Sequence, residues 1–353
     1  MSTLLLAYEI FISFVALILL VLAARPKSKR DYETSKGFMP RTLVIIPCRG
    51  RDIALTRNLK AAKSQRYRNY DVVAVVDSAD DEAVAHIRAA HMRFIVSDIQ
   101  CRGCSGKVRA IVSALERFRN YDAYVILDSD VLAGKDWLSC VVAPLADRHI
   151  GISTSFPVFK PVGGFWSHVK FTWGFVGASL MESASTRFGW GGTLAFRTDL
   201  LSKADILEFR GSVSDDIALT RIAKRKGLGI AYVPEARPVV ETDEGFAAFV
   251  EWSTRQTAFS LAGDGRLFYY GVVFYSASVL CLLSGVALAV AVGPIFLLLL
   301  LPTFAAMAKM YMRSGSAAAV CISPLINFVY LANLLRAKGM GSVTWRGRIY
   351  RVN

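Results

Sequence analysis

The sequence predicts an α/β domain with a mostly parallel sheet, and apolar segments of membrane-spanning length at both ends of the chain. Two observations predict the sheet: apolar runs of strand length lack polar–apolar alternation, and stretches of helical length separate them. A third predicts the membrane segments, because hydrophobic residues make up 54% of the 353 residues and several apolar runs are long enough to cross a bilayer. We therefore expect an N-terminal anchor over 1–30, a cytosolic domain over 31–265 and a C-terminal membrane region over 266–353.

The chain is strongly basic. It has 42 Lys and Arg against 28 Asp and Glu, a net charge of +14. In a chain with membrane spans, this balance indicates contact with anionic lipid head groups and cytosolic placement of the basic segments. The sequence contains no arginine-rich low-complexity tail and no recognisable nucleic-acid module, so we expect no nucleic-acid partner.

The six cysteines are scattered along the sequence. Cys101 and Cys104 have the spacing of a redox motif or half a zinc site, but no second pair and no histidine pair completes a zinc site. We therefore expect two free thiols in a loop. The absence of a disulfide framework also agrees with a cytosolic domain.

The N-terminal apolar run predicts a signal anchor. Residues 4–23 carry a single charge, that of Glu9, and match the length of a membrane span. Four basic residues follow at once: Arg25, Lys27, Lys29 and Arg30. The positive-inside rule then places the N-terminus outside and the following chain in the cytosol. This predicts an integral membrane protein with its main domain on the cytoplasmic face, in the cell membrane if the source is prokaryotic.

Alternating strands and helices follow the anchor. The apolar runs predict strands over 42–47, broken by Pro47, over 72–76 and near 93–96. Helices are expected over 55–64, 82–90 and 107–118. This alternation is typical of βαβ units. The sequence shows no GxGxxG or P-loop pattern, which leaves dinucleotide-binding and NTPase functions without their main support.

The run 124–131 is the central strand of this prediction, because it ends in two carboxylates one residue apart, Asp128 and Asp130. Ligands of parallel sheets bind just beyond the carboxyl ends of the strands. In an extended segment, residues i and i+2 point the same way, so both carboxylates can face one site. Two oxygen donors suit Mg²⁺ or Mn²⁺, and such an ion would hold a diphosphate. The alternative is a surface turn in which Asp and Ser end a strand.

Further elements follow the central strand. An aromatic-rich helix is expected over 163–181, a glycine-rich turn over 189–193 before a strand at 194–196, a strand over 230–233 and a helix over 247–259. Asp215 and Asp216 open a predicted helix over 217–226. The first acid can cap this helix, which leaves the second available for other chemistry.

The C-terminal region is apolar from 267 to 308, with an interruption at Gly293-Pro294, and this predicts a hairpin of two spans. A third apolar run covers 317–335, and the tail after it is basic. Three full spans would leave that tail outside, against the positive-inside rule. We therefore expect one run, such as the one that contains Pro324, to be re-entrant or interfacial.

Taken together, these segments resemble the family 2 and ceramide-glucosyltransferase-like inverting glycosyltransferases, which share the GT-A fold. The resemblance covers nearly the whole chain, including the tail 343–351, which is similar to the Trp-Arg-x-x-x-Tyr-Arg ending of membrane members. The signature of the family is three separated aspartates and a Gln/Arg-x-x-Arg-Trp motif. Here the last motif departs from the pattern: at Trp252-Ser253-Thr254-Arg255-Gln256 only the Arg is kept, which weakens the case for a processive polysaccharide synthase.

The resemblance assigns roles to residues of this sequence. It implies Asp216 as the catalytic base and a divalent cation, Mn²⁺ or Mg²⁺, on Asp128 and Asp130. Donor binding, with a UDP-sugar favoured, falls on Asp77, its competitor Asp80, Lys107, Asp128 and Arg255. Acceptor binding falls on Asp215, Trp190, Trp252 and Gln256.

The implied function is metal-assisted transfer of a sugar to a hydroxyl of a lipid acceptor, which would arrive from the bilayer next to the cytosolic domain. Within the same class, a polyprenyl-phosphate glycosyltransferase or a polysaccharide synthase is the alternative. Outside it, a metal-dependent nucleotidyltransferase and a non-catalytic membrane scaffold or transporter remain open. The sequence does not favour a transporter, because no ionisable residue lies deep within the C-terminal apolar runs.

Overall fold

The computed structural model describes residues 3–24, 31–35, 37–101, 103–345 and 348–351. The chain forms two compact units. We call residues 31–162 and 176–242 the sheet unit, and residues 3–24, 163–175 and 243–351 the helical unit, in each case for their described residues. The basic cluster Arg25, Lys27, Lys29 and Arg30, and Arg346 of the tail, lie outside the described residues.

The strands are numbered in chain order. They are β1 Thr42–Cys48, β2 Tyr70–Val76, β3 Phe94–Val96, β4 Ala123–Leu127, β5 Val131–Leu132, β6 Ile150–Thr154, β7 Val158–Pro161, β8 Thr193–Arg197, β9 Gly229–Tyr232, β10 Val239–Thr242, β11 Ser342–Trp345 and β12 Arg348–Arg351.

The α-helices are numbered in the same way. They are α1 Thr3–Ala24, α2 Leu55–Lys63, α3 Ala83–Ala89, α4 Gly106–Arg117, α5 Trp137–Val142, α6 Phe165–Met181, α7 Lys203–Arg210, α8 Asp215–Arg225, α9 Phe246–Gly263, α10 Arg266–Ala291, α11 Leu301–Ser314 and α12 Ala317–Lys338. A 3-10 helix, Pro294–Leu300, precedes α11.

The sheet unit is built on a seven-stranded sheet in the order β3-β2-β1-β4-β8-β6-β9. All neighbours are parallel except β8, which runs antiparallel to both β4 and β6. Every residue of β4, β6 and β8 is buried, and β4 accordingly reads as an apolar run without alternation. Strand β6, with Gly151, Ser153 and Thr154, was not predicted from the sequence. The sheet unit also contains a separate three-stranded sheet in the order β5-β10-β7, which the sequence analysis did not predict.

Pro47 does not break β1, contrary to the sequence prediction. The strand continues to Cys48, and Pro47 pairs in register with Val75 of β2. On the other side, the register with β4 ends at Ile45 opposite Ile126. The proline therefore lies beyond the part of β1 that has neighbours on both sides, where a missing N–H costs little.

Helices α4 and α8 pack on the sheet through apolar side chains of one continuous core. Ile111 of α4 and Leu219 and Ile222 of α8 are completely buried with Ile126 of β4. At about 25 cal/mol per Å² of apolar surface, each such side chain stabilises the fold by roughly 1.5–3 kcal/mol. This packing fixes the N-terminal turns of both helices, which carry the polar residues of the site described below.

The helical unit contains four helices that are long and apolar enough to cross a membrane: Thr3–Ala23, Arg266–Ala291, Pro294–Ser314 and Ala317–Lys338. Ile12 of α1 is completely buried in a cluster with Cys281 and Leu288 of α10. Lys309 of α11 donates a hydrogen bond to the carbonyl of Ala23, at the C-terminal end of α1, at 3.3 Å. Helix α12 continues through Pro324 without a break.

The structure joins Cys101 and Cys104 by a disulfide bond, so the expectation of two free thiols was wrong. Their Cα atoms lie 5.8 Å apart, which is within the range of a disulfide. The sequence spacing alone did not distinguish a thiol pair from a bonded pair.

Candidate active site

The carboxyl ends of three parallel strands, β1, β2 and β4, meet at one edge of the large sheet. The predicted residue Asp77 follows β2 directly and forms an ion pair with Arg109 of α4, at 2.6 Å. Arg49, which follows β1, lies 3.9 Å from the same carboxylate. Asp80, the competing assignment, lies in an exposed turn, where its N–H donates to the hydroxyl of Ser78 at 3.2 Å. The sheet thus places Asp77, not Asp80, among the charged groups of this edge.

Lys107 stands at the centre of the site, on the second residue of α4. Its Nζ lies 2.8 Å from Oδ1 of Asp128 and 3.1 Å from Oδ2 of Asp215, and it donates to the carbonyl of Gly191 at 3.0 Å. The N-cap Ser105 fixes the turn that carries it by accepting a hydrogen bond from the Val108 N–H. Three other predicted segments, those of Asp128, Gly191 and Asp215, therefore converge on the ammonium group of Lys107.

The charges in this cluster shift one another's pKa values. Burial acts to lower the pKa of Lys107, but Asp128, Asp215 and Asp216 outweigh it, so the pKa is raised and the lysine stays protonated. Burial raises the pKa of Asp215 to about 6, although Lys107 opposes this shift. One ammonium faces three carboxylates, so the cluster has an excess of negative charge. The raised pKa of Asp215 is consistent with this excess.

Asp216 occupies the first turn of α8, whose N-cap is Ser214. Its Oδ1 accepts hydrogen bonds from the Ser214 hydroxyl and from the Ile217 N–H, the latter at 2.8 Å, and its Oδ2 accepts from the Gly191 N–H at 3.3 Å. The sequence analysis gave the helix-terminal role to Asp215 and kept Asp216 free. In the structure the two roles are exchanged: the Asp215 carboxylate pairs with Lys107, and the Asp216 carboxylate accepts a hydrogen bond from the Ile217 N–H in the first turn of α8.

The glycine-rich turn before β8 brings the backbone close to these acids. The N–H of the predicted residue Trp190 donates to the hydroxyl of Thr154 at 2.9 Å, and its ring packs 5.9 Å from that of Phe156. A Cβ on Gly191 would lie 2.8 Å from both the Lys107 Nζ and the Asp215 Oδ2. A side chain at this position would therefore force the buried ion pair to shift.

Asp128 and Asp130 lie in a turn between β4 and β5, not in the extended segment that the sequence analysis assumed. The N–H of Val131 donates to the carbonyl of Asp128 at 3.1 Å and closes the turn. The central residue, Ser129, is buried, and its carbonyl accepts a hydrogen bond from Asn58 of α2 at 3.2 Å. Its hydroxyl donates to Asp52.

The described residues contain no group of three or more His, Cys, Asp or Glu side chains placed to bind a metal ion. Two carboxylates suffice for Mg²⁺ or Mn²⁺ when substrate phosphates and water supply the other ligands. Asp128 keeps about a third of its side chain exposed, and Asp130 is also partly exposed. This pair therefore fits an ion that binds together with a diphosphate.

Three predicted residues lie on α9 in the helical unit. Trp252 packs against Trp173 with ring centroids 4.9 Å apart, and the Lys170 ammonium lies 4.1 Å from the Trp252 ring. Arg255 pairs with Glu251 one turn earlier, at 3.7 Å, and Gln256 is half-buried.

The sequence analysis missed Arg109, Asn58 and the close approach of Gly191. Arg109 follows Lys107 by two residues, and its position on the same predicted helix was the only available signal. Asn58 is an ordinary polar residue in the sequence, and only the packing of α2 beneath the Asp128–Asp130 turn shows its contact. Gly191 lies in the predicted glycine-rich turn, but the sequence gave no sign of its close contacts with Lys107 and Asp215.

This arrangement defines a class of protein. Paired carboxylates follow a central strand, a buried lysine joins them to a second pair of acids at a helix N-terminus, and all stand at the edge of a mostly parallel sheet. Such a site can bind a sugar diphosphate and remove a proton from an incoming hydroxyl. It is the organisation of a GT-A glycosyltransferase.

The comparisons with known proteins agree. The chain belongs to glycosyl transferase family 21, whose model matches residues 6–353. A mannosyltransferase from Pyrobaculum calidifontis, solved in complex with GDP-Man and Mn²⁺, has a TM-score of 0.54 and 18% identity, with 94% of this chain and 96% of that chain covered. A glucosyl-3-phosphoglycerate synthase from Mycobacterium tuberculosis has a TM-score of 0.45 and 14% identity, with 68% and 88% covered. None of the curated proteins compared with the chain matches it.

Family membership confirms the resemblance on which the sequence analysis relied, and the likeness to the mannosyltransferase confirms the GT-A fold. The protein is a glycosyltransferase that uses a nucleotide-sugar donor. This sets aside the nucleotidyltransferase and the non-catalytic alternatives.

Proposed function

We propose that the protein is a membrane-bound, inverting glycosyltransferase that moves a sugar from a nucleotide-sugar donor to a hydroxyl group of a lipid. The observation that carries this proposal is the cluster around Lys107, which holds Asp128 and Asp215 within 3.1 Å of one ammonium and leaves Asp216 beside them. The Lys107 ammonium thereby links Asp128, proposed for the donor side, to Asp215, proposed for the acceptor side.

Asp216 is the proposed base. Its Oδ1 is fixed by the helix amide of Ile217, so the longer contact of Oδ2, 3.3 Å from the Gly191 N–H, is the one that an acceptor hydroxyl can replace. The positive end of the α8 dipole stabilises the ionised carboxylate that must accept the proton. The O–H bond of the acceptor breaks as its oxygen attacks the anomeric carbon, and the nucleoside diphosphate leaves from the opposite face. One displacement of this kind inverts the configuration.

The donor is proposed to bind along the strand ends. Asp77, paired with Arg109, lies where the nucleotide base is expected, and Lys107 offers a charge to the diphosphate. Arg255, on the helical unit, is proposed for donor binding on the resemblance alone, and its guanidinium is of the type that binds phosphate oxygens in bidentate fashion. The resemblance favours a UDP-sugar. The structural relatives were solved with GDP-Man and with UDP, so the base stays a proposal.

Asp128 and Asp130 would hold a divalent cation, Mn²⁺ or Mg²⁺, together with the donor diphosphate. When bound, the ion supplies Lewis-acid stabilisation of the charge that develops on the leaving group. The chain's own contribution is to hold the turn of these aspartates through Ser129, Asn58 and Asp52.

The lipid acceptor is supported by the four helices of membrane-spanning length and by the basic segments next to them. We place the sheet unit on the cytoplasmic face, and in the cell membrane if the source is prokaryotic. A polyprenyl phosphate or a growing polysaccharide is the alternative acceptor. The departure of the Gln256 position from the usual Trp weighs against the polysaccharide.

The experiment is release of nucleoside diphosphate from a panel of sugar nucleotides by the full-length protein in lipid extract, with Mn²⁺, with Mg²⁺ and with a chelator. Asp128→Asn and Asp216→Asn are compared with Asp136→Asn, an exposed aspartate of the same unit. We expect both site variants to lose at least about 10²-fold in turnover, the usual size of a lost acid–base contribution, and the Asp136 variant to match the wild type.

Lipid-dependent and metal-dependent release that needs both aspartates would support the proposal and identify the donor. Release that persists with the chelator would exclude the cation. Release that survives Asp216→Asn would exclude the base, and product analysis showing a sugar phosphate ester would replace the lipid hydroxyl by a polyprenyl phosphate.

A further inference from the structure

The glycine-rich turn before β8 is a closed β-turn. The carbonyl of Trp190 accepts a hydrogen bond from the Thr193 N–H at 3.0 Å, which is the bond between the first and fourth residues of such a turn. The two central residues, Gly191 and Gly192, therefore keep backbone groups that can bind residues outside the turn.

Three of these backbone groups bind three different residues of the candidate active site. The Gly191 carbonyl accepts from Lys107 Nζ at 3.0 Å, and the Gly191 N–H donates to Asp216 Oδ2 at 3.3 Å. The Gly192 carbonyl accepts from the Asp128 N–H at 3.2 Å. The turn is thus in direct contact with the central lysine, with the proposed base and with the first aspartate of the Asp128–Asp130 turn.

Two threonines hold the glycine-rich turn by accepting hydrogen bonds from its N–H groups. The Gly189 N–H donates to the Thr220 hydroxyl at 2.8 Å, and the Trp190 N–H donates to the Thr154 hydroxyl at 2.9 Å. The Thr154 hydroxyl donates in turn to the Thr193 carbonyl at 2.7 Å, so one completely buried side chain binds both ends of the β-turn. The turn is thereby fixed to β6 on one side and to α8 on the other.

Helix α8 supplies both the proposed base and one of these threonines. Thr220 follows Asp216 by four residues, so the two side chains lie on the same face of the helix, one turn apart. They accept from N–H groups two residues apart, Thr220 from that of Gly189 and Asp216 from that of Gly191. The glycine-rich turn therefore binds α8 at two points, and one of them is the proposed base itself.

Of the groups that the turn contacts, the proposed base depends on it most. Lys107 also forms ion pairs within the cluster, and the Asp128–Asp130 turn is also held by α2. For Oδ2 of Asp216, the hydrogen-bond donor that the described residues provide is the Gly191 N–H. Movement of the turn should therefore disturb the base before it disturbs the groups proposed for donor binding.

We propose that Thr154 and Thr220 are positioning residues of the transfer reaction, which hold the glycine-rich turn against the Asp216 oxygen that takes the acceptor proton. This inference rests on the proposed function, in which an acceptor hydroxyl replaces the Gly191 N–H at Oδ2. The hydroxyl must then bind directly beside the turn, so a shift of the turn changes the distance between the hydroxyl and the base. A misplacement of 1 Å can cost about 10²-fold in rate.

The test removes each hydroxyl and keeps the shape of the side chain. Thr154→Val and Thr220→Val leave an N–H of the turn without its acceptor, whereas Thr154→Ser and Thr220→Ser keep the hydroxyl. Thr186→Val is the matched control, because Thr186 is half-buried three residues before the turn and donates to the Leu180 carbonyl at 2.7 Å instead of binding the turn.

The assay is nucleoside diphosphate release by the full-length proteins in lipid extract, with the best donor of the sugar-nucleotide panel. The rate at saturating donor is divided by the number of sites that bind the corresponding nucleoside diphosphate. A smaller folded fraction then does not count as lost turnover, which separates a positioning role from a merely structural one.

We expect Thr154→Val and Thr220→Val each to lower the turnover per site roughly tenfold and to change the donor KM by less than about twofold, because the donor-binding groups keep their other contacts. The two serine variants should recover turnover toward that of the wild type, and Thr186→Val should match the wild type. In the Asp216→Asn background, Thr220→Val should cause little further loss, because no base is left to position.

Valine variants with the turnover per site of Thr186→Val would overturn the positioning role, and so would serine variants that are as slow as the valine variants. An equal loss in Thr220→Val with and without the Asp216 carboxylate would show that the threonine acts on another group. If Thr154→Val fails to fold, the half-buried Thr220 decides the test. Wild-type turnover in Asp216→Asn would instead refute the base of the proposed function, whereas unaffected threonine variants alone refute only the positioning role.

Discussion

Replacing Lys107 by Met should destabilise the sheet unit strongly, and by an amount that grows with pH. The lysine and Asp215 are 10% and 6% exposed, and the substitution leaves that carboxylate buried without its cation. Breaking a buried ion pair from one side costs about 3–5 kcal/mol. For a unit of this size, with 2–4 °C per kcal/mol, the midpoint of thermal unfolding should fall by roughly 6–20 °C.

The pH dependence follows from the raised pKa of Asp215, which burial holds at about 6 even with Lys107 beside it. Without the lysine the pKa rises further. An acid whose folded-state pKa is raised contributes stability at low pH and loses it as the pH rises through that pKa. The loss caused by Lys107→Met should therefore be smaller at pH 6, where Asp215 can bind a proton, than at pH 8.

The assay is thermal unfolding of the detergent-solubilised protein, followed by tryptophan fluorescence at pH 6 and pH 8. The double variant Lys107→Met/Asp215→Asn removes both charges and should regain part of the loss. Arg148→Met breaks an exposed pair with Asp199, with side chains 77% and 57% exposed, and should change the midpoint by no more than about 4 °C. A Lys107 variant that behaves like the Arg148 variant, or a double variant whose loss is the sum of the single ones, would refute the electrostatic reasoning.

Three further predictions concern single side chains of the sheet unit. Gly191→Ala should abolish nucleoside diphosphate release, because its Cβ would lie 2.8 Å from both Lys107 Nζ and Asp215 Oδ2 of the buried ion pair. Gly134→Ala, whose Cβ would have no atom within 4 Å, should keep activity. Equal activities of the two variants would show that the turn adapts. Asn58→Leu should lower turnover roughly tenfold and the unfolding midpoint by a few degrees. The substitution removes the donor to the Ser129 carbonyl in the Asp128–Asp130 turn, a loss of about 1–3 kcal/mol. An unchanged kcat would contradict a positioning role for Asn58. Burial acts to raise the pKa of Asp205, but hydrogen bonds from Lys226 and Ser202 outweigh it and hold the pKa well below its ordinary 3.8. Asp205→Asn should therefore lower the unfolding midpoint at pH 7, and the difference between the midpoints of wild type and variant should narrow as the pH falls below 3.8. A difference that stays constant from pH 7 to pH 3 would count against the ion pairs.

The sequence predicted six of the seven strands of the large sheet, because most of them contain apolar runs. Strand β6, Ile150–Thr154, escaped because Gly151, Ser153 and Thr154 interrupt any apolar run although all five residues are buried. Strand β10, Val239–Thr242, escaped because it is short and half-buried, with a burial pattern that an isolated four-residue segment shares with many loops. The end of β1 was predicted wrongly because proline was expected to break a strand that has neighbours on both sides. At Pro47 the pairing with β4 has already ended, so a missing N–H is tolerated there.

The site was predictable as far as residue types at strand and helix ends could show it. Lys107, Asp128 and Asp215 were named before the structure brought them together. Their mutual distances depend on the register of β8 between β4 and β6, which places Gly191 beside the lysine, and no local pattern in the sequence encodes that register. For the same reason the hold of Asn58 on the Asp128–Asp130 turn was invisible.

The ends of α1 and α11 bear on the membrane topology. Lys309 of α11 bonds the carbonyl of Ala23, so the basic end of α11 lies at the end of α1 that precedes the Arg25–Arg30 cluster. The positive-inside rule would place both ends in the cytoplasm, in line with the orientation proposed above. Helix α12 begins three residues after α11 and ends in Arg336, Lys338 and the basic tail, so spanning would carry those charges outside.

We therefore predict that α12 stays at the cytoplasmic face, although its length would permit a span. Its polar contact from Asn333 to Ser253 of α9, and that from Tyr330 to Trp173 of α6, also suit an interfacial position better than a lipid-facing one. A green fluorescent protein fused to the C-terminus should fluoresce, and a periplasmic or luminal reporter at the same point should stay inactive. The reverse pattern would make α12 a full span, and the basic tail would then break the positive-inside rule.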